Sequence, residues 1–280
     1  MLWRVDREAI VFLGAGRALL LQLAHPWVGA AVAEHSAALT DPVGRFHRTF
    51  STVFALVFGS LDGALAAARR LHRRHAAVSG FLPERLGPYP EGSAYRADEA
   101  SAVLWVHATL IDTALRCYEL ALAPLGPEDR ERYYAESRRL GALFGLGPDE
   151  QPADWPAFGR YWDDALLSDR LAVGEAARRV GAGVLAGAGR IPVPRWYRDV
   201  TAALLPERFR APFGLAFGDA EGRRAAFALS TVRRLYPALP GRIRTVPPYQ
   251  EALARLSGRR PDALTRSLNR LWIGRASLER

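Results

Sequence analysis

Apolar positions along this chain recur mostly at helical spacing, and alternating runs rich in Val, Ile and Thr are scarce. The segment from Arg4 to Ala24 reads as a first helix. It ends near His25-Pro26, because the residue before a proline avoids helical geometry. A second helix is predicted from Pro26 to Ala38. Thr40-Asp41-Pro42 is a start signal, with proline in the first turn, for a third helix reaching Phe58. Gly59-Ser60 breaks it, and a fourth runs from Leu61 to Val78. Three prolines and three glycines between Gly80 and Ser93 mark a loop. Further helices are predicted over Asp98–Leu122, Gly126–Phe144, Trp155–Leu171, Val173–Leu185, Arg195–Leu204, Pro206–Phe217, Glu221–Tyr236, Pro248–Leu256 and Asp262–Trp272. No internal repeat or long linker divides them. The expectation is an all-α fold in which residues 1–280 form a single multi-helix domain, with its core over about 10–256.

Composition supports helices and narrows the chemistry. The chain has 280 residues, 49% of them hydrophobic, enough for a substantial core. All 38 basic residues are arginine, and the net charge is +9. The arginines are scattered and often lie beside Asp or Glu, which argues against nucleic-acid binding. A basic surface is compatible with peripheral contact to an anionic membrane. Without lysine, Schiff-base mechanisms are excluded. The one cysteine, Cys117, rules out an intrachain disulfide and Cys₂ or Cys₄ zinc sites. Arg4, Asp6, Arg7 and Glu8 interrupt any signal-peptide pattern. The longest apolar stretches contain Arg17, His25 and Pro26, or Asp112, Arg116 and Glu119. They suit buried core helices better than membrane spans, and a cytoplasmic location is the expectation.

Gly14-Ala15-Gly16 lacks the strand, third glycine and downstream acid of a dinucleotide fingerprint, so close helix packing explains it better. Neither Gly-x-Ser-x-Gly nor His-Glu-x-x-His occurs. Asp112 and Asp163-Asp164 read as solvated or salt-bridged carboxylates. The histidines are His25, His35, His47, His72, His75 and His107. On a helix, His107 shares a face with Val103, Leu110 and Ala114, and His75 with Ala68, Leu71 and Val78. Both point inward, and a buried neutral imidazole is either a hydrogen-bonded core residue or a metal ligand. Arg45, Arg48 and Thr49 fall on one side of a phenylalanine-rich helix. They form either a solvated edge or a pocket wall that binds an anion. Spacing alone does not choose between these readings.

An ordered series of segments carries a resemblance. It comprises Gln22-Leu23-Ala24-His25-Pro26, Val32-Ala33-Glu34-His35-Ser36, Asp41-Pro42 with Arg45-x-x-Arg48-Thr49, and His75-Ala76-Ala77-Val78-Ser79-Gly80. It continues with Tyr95-Arg96-Ala97-Asp98, Leu104-Trp105-Val106-His107-Ala108-Thr109-Leu110, Tyr133-Tyr134-x-Glu136 and Leu204-Leu205-Pro206. In this order the chain resembles the MpaB-like family, which includes the rubber-oxygenase catalytic domain of latex-clearing proteins. The resemblance implies a globin-like core holding haem b, with His75 as proximal iron ligand. It places Arg45, Arg48 and Thr49 on the distal side. It implies an oxygenase that uses dioxygen or peroxide on a small apolar or prenyl-type substrate. In the latex-clearing branch a distal lysine ligates iron, and here that position is Arg48. Arginine has no lone pair to give a metal, so the sixth position is open, water-bound or filled by a histidine such as His107. Two other readings fit the same sequence: a haem- or lipophile-binding protein without turnover, and a non-haem metal site built from His75 and His107.

Overall fold

The computed structural model describes residues 1–187 and 192–278. It is all-α, with one small hairpin. In chain order the helices are α1 (Leu2–Asp6), α2 (Ala15–Leu23), α3 (Pro26–His35), α4 (Pro42–Phe58), α5 (Leu61–Ala76), α6 (Ala100–Ala121) and α7 (Pro127–Leu143). They continue with α8 (Trp155–Leu167), α9 (Glu175–Leu185), α10 (Arg195–Leu204), α11 (Asp219–Leu235), α12 (Gly241–Arg244), α13 (Pro247–Leu256) and α14 (Ala263–Ile273). The strands β1 (Ser79–Phe81) and β2 (Ala94–Arg96) pair antiparallel, with Gly80 opposite Tyr95. Among the described residues no single helix is long and apolar enough to cross a membrane.

Start signals act where the residue pattern puts them. Asp41 accepts from the Gly44 amide at 2.9 Å, and Ser60 accepts from Gly63 at 3.2 Å, so α4 and α5 each begin on a side-chain cap. Three expectations need correction. The helix expected over Arg4–Ala24 is three pieces: α1, a 3₁₀ stretch Ala9–Gly14, and α2. Glu8 is extended and buried, bridges to Thr245, and lies 3.1 Å from the Tyr236 hydroxyl. That long-range tether interrupts the helix. The segment Pro206–Phe217 forms only a 3₁₀ turn at Glu207–Phe209, because Pro212 and a left-handed Gly214 (φ 67°) stop propagation. The loop expected over Gly80–Ser93 is bounded by the β1–β2 hairpin. Its Gly80 is needed, since a Cβ there would lie 2.5 Å from the Tyr95 hydroxyl.

Two apolar cores organise the molecule. The larger joins α2, α3 and α6–α9 around Leu20, Leu21, Trp105, Trp162 and Phe213. Through it runs a buried ion pair: Arg17 meets Asp112 at 2.6 Å and donates to the Leu204 carbonyl at 2.8 Å. Its guanidinium lies 5.7 Å from the Trp162 ring centre. The small residues before Arg17 permit this approach. A Cβ on Gly14 would come within 2.3 Å of Thr113, and one on Gly16 within 2.7 Å of Thr201. The second core packs α4 and α5 on α13 and α14 through Phe54, Phe58, Val246 and Ile273. An aromatic file continues it, with Phe12 against Phe50 at 4.6 Å and against Trp272 at 4.5 Å.

His107 belongs to the packed interior. Its Nε2 donates to the Ser137 carbonyl at 2.9 Å, and its ring meets Phe144 edge-on at 5.3 Å. Burial pushes its pKa down to about 4. The folded protein thus binds fewer protons at this site than the unfolded chain between that value and the ordinary histidine value, and stability falls as pH drops through that window.

Two outcomes follow. Arg17→Met leaves the Asp112 carboxylate to Arg116 alone, 2.9 Å away, and lowers stability by roughly 1–3 kcal/mol, while Arg17→Met with Asp112→Leu recovers most of the loss; denaturant unfolding of both variants measures this. For His107→Gln, unfolding titrations at a series of pH values from 6.5 down to 4.5 give a slope shallower than the parent's by about 1.4 kcal/mol per pH unit. An unchanged slope places the titration elsewhere.

Candidate functional site

The α4–α5 hairpin carries the residues singled out from the sequence. α4 sets Arg45, Arg48 and Thr49 on one side, but their surroundings differ. Arg48 is exposed, and its Nη1 meets Asp41 at 3.1 Å. Arg45 is half-buried, and its guanidinium has no hydrogen bond or ion pair among the described residues. Burial, and secondarily the Arg48 charge, lower its pKa from the ordinary guanidinium value. An anion beside Arg45 relieves both effects. Thr49 is exposed, with a hydroxyl that no described group engages.

His75 sits in the last turn of α5, half-buried, with no hydrogen bond to either ring nitrogen among the described residues. Burial lowers its pKa, the His72 charge adds to that, and Asp98 opposes it. The ring is therefore neutral at pH 7 and keeps a lone pair for a metal. His72, one turn earlier, is engaged: its Nε2 bonds the Leu143 carbonyl at 3.0 Å, with Gly145 against the ring.

Three further segments meet beside this turn. Tyr95 donates to the Glu34 carboxylate at 2.7 Å, and the His35 Nε2 bonds the Ser79 carbonyl at 3.1 Å. Arg96 grips Asp98 through two bonds of 2.9 and 2.7 Å, which fixes the carboxylate that acts on His75. Spacing assigned no role to Glu34 or Tyr95. The signal lay only in their order with the other segments, because their contact crosses most of two helices and a hairpin.

The remaining histidines are accounted for differently. His47 bonds the Leu271 carbonyl at 2.9 Å and ties α4 to α14. His25 is buried against Trp27 and Tyr89, and burial pushes it down to about 4. His107 has the interior partners given above, and none of them is shared with His75. Among the described residues no three His, Cys, Asp or Glu side chains converge as a metal site. The two-histidine metal reading gains no geometric support.

The hairpin stands apart from the central helix. α5 packs extensively only along α4, and α4 packs mainly on α5, α13 and α14. Contacts with the larger body include Phe12 against Phe46 and Phe50, Trp3 donating to the Val57 carbonyl at 2.7 Å, Leu140 and Phe144 of α7 and its end in the shared core, His72 and Asp98. On α6, Val103, Val106 and Leu110 form a half-buried apolar face although that helix is otherwise the most enclosed. Gln22 of α2, half-buried, donates to Thr109 on the same helix at 3.2 Å. Val103, Val106, Leu110, Gln22, Arg45 and His75 are each half-buried.

The chain matches, over residues 3–241, the family described as ER-bound oxygenase mpaB/B'/Rubber oxygenase, catalytic domain. No curated protein and no solved structure matches it. The matched range holds every segment named above up to α11 and covers the large majority of the chain, so this protein belongs to the mpaB/rubber oxygenase catalytic-domain family.

Proposed function

We propose that this oxygenase-family chain works with haem b, that His75 is the proximal iron ligand, and that Arg45 is the polar group serving the oxidant. The observation that carries the reading is the pair of unpartnered, partly desolvated groups on one helical hairpin. Among the described residues, one is a neutral imidazole with no hydrogen bond, and the other is a guanidinium without a counter-ion. The donor set fits the group. His75, an imidazole with no competing hydrogen bond among the described residues, would hold the iron of such a group, and the described residues hold no cluster of three or more ligands suited to a bare metal ion. When bound, haem supplies the oxygen activation and electron storage that side chains lack.

The protein's own residues do the rest. Arg45 offers charge-assisted hydrogen bonds to an anionic oxidant, dioxygen-derived or peroxide. Asp41 holds Arg48 back, so Arg48 contributes field more than contact. Thr49 is free to orient a water or a polar substrate atom. Because Arg48 lacks a lone pair, it would not itself hold the iron. Val103, Val106 and Leu110 supply an apolar wall that excludes water and suits a small apolar or prenyl-type substrate.

Absorption spectra of the purified protein with haemin test the ligand. The parent and His107→Gln show a Soret band. His75→Ala loses it and regains it with added imidazole. A parent protein that stays colourless with haemin sinks the proposal. Azide titration of the haem-loaded protein tests the pocket. Arg45→Leu weakens azide binding by roughly 10–100-fold, as expected for loss of a charge-assisted hydrogen bond. Arg48→Leu weakens it less, and equal losses would show that Asp41 does not hold Arg48 back.

A further inference from the structure

We infer that the corner formed by the end of α11, α12 and the α13–α14 turn docks on an anionic lipid bilayer. From 233 to 243 the chain is exposed at every position but Tyr236, which anchors the segment inward with its hydroxyl 2.8 Å from the Arg244 carbonyl. Leu235 is 58% exposed and Ile243 65% exposed. Across from them, the turn between α13 and α14 presents Leu256 at 70% and Leu264 at 53%. The two segments are joined by the ion pair of Arg242 with Asp262 at 3.0 Å, so they form one surface.

Isolated exposed leucines are ordinary on a soluble surface. This cluster is not isolated, and its charge is one-sided. Arg233, Arg234, Arg259 and Arg260 are exposed and engage no acidic side chain among the described residues. The carboxylate between the segments, Asp262, is already taken by Arg242. Apolar side chains set among unpaired arginines have the chemistry of an interfacial anchor. The leucines enter the headgroup–acyl boundary, and the guanidiniums reach lipid phosphates while their stems stay against apolar surface. Pro237, Pro240 and Gly241 keep the segment in short turns, so Ile243 is carried on a four-residue helix rather than on a flat face.

Charge decides between a bilayer and a second copy of the chain. A self-complementary interface here brings Arg233 and Arg234 close to the arginines of an identical corner, on a chain already carrying +9. An anionic bilayer neutralises the same residues. The corner lies largely past residue 241, where the family match ends, and it does not depend on the haem assignment.

Flotation of the full chain with vesicles tests this surface. Phosphatidylcholine vesicles containing phosphatidylserine carry the protein upward at low salt, high salt releases it, and pure phosphatidylcholine recovers little. Leu235→Ser with Ile243→Ser and Leu256→Ser, or Arg233→Ser with Arg234→Ser, each lowers partitioning by about tenfold or more with an unchanged thermal midpoint. The variant Ile243→Trp shows a blue shift in its emission when anionic vesicles are added, relative to the parent measured alongside. The inference is overturned if neither multiple variant changes flotation, or if vesicles shift the emission of Ile243→Trp no more than that of the parent. Loss of flotation only when the exposed α5 arginines Arg69, Arg70, Arg73 and Arg74 are replaced also overturns it. So does a dimer in light scattering that the Leu235 variant dissociates.

Discussion

The buried contact between Arg17 and Asp112 is the constraint around which the larger core is arranged. One guanidinium joins α2 to α6, closes the end of α10 through the Leu204 carbonyl, and lies against the ring that α8 contributes. Burial alone would make so enclosed a charge costly, and the carboxylate and carbonyl beside it supply the compensation. The neighbouring glycines are part of the same arrangement, because a methyl group at either would collide with α6 or α10. What reads in sequence as a nucleotide-loop fragment is in fact the clearance for a buried ion pair.

With that body rigid, the second core is free to do something else. The α4–α5 hairpin is fastened to α13 and α14 by aromatic rings and meets the central helices at only a few points. It therefore presents side chains that the interior does not consume. The contrast between His107 and His75 shows the difference. Each shares a helical face with apolar neighbours, yet one ring is committed to a backbone carbonyl in the interior and the other makes no hydrogen bond among the described residues. A similar contrast separates Arg48 from Arg45, since a capping aspartate claims the first and leaves the second.

Most of the fold was legible in the chain because its punctuation is local. Pro42, Gly59, Pro127 and Gly126 act on their own helix ends, and the elements begin and end near them. The misread stretches depend on distant partners. The break after α1 follows from Glu8 meeting Thr245 and Tyr236, near the other end of the chain, and no window around Glu8 contains that information. The candidate site was legible in the same uneven way. Helical spacing put Arg45, Arg48 and Thr49 together, while the resemblance singled out His75. Which arginine is left without a counter-ion, and that Glu34 pairs with Tyr95 beside the same turn, are properties of three-dimensional neighbours.

The bond from His72 to the Leu143 carbonyl has a consequence for how the molecule breathes. α5 packs along α4 and meets α7 through this imidazole and through the core that Ala67, Ala68 and Leu71 share with Leu140, Leu143 and Phe144. Its last turns, from 69 to 77, hold no buried residue, so they open at a lower free energy than the core around Arg17. Protection from hydrogen exchange then grades from the end of α5 inward to α6. A ligand held at His75 would tie this turn to more of the chain, and the turn would then open with the cooperative unit rather than ahead of it.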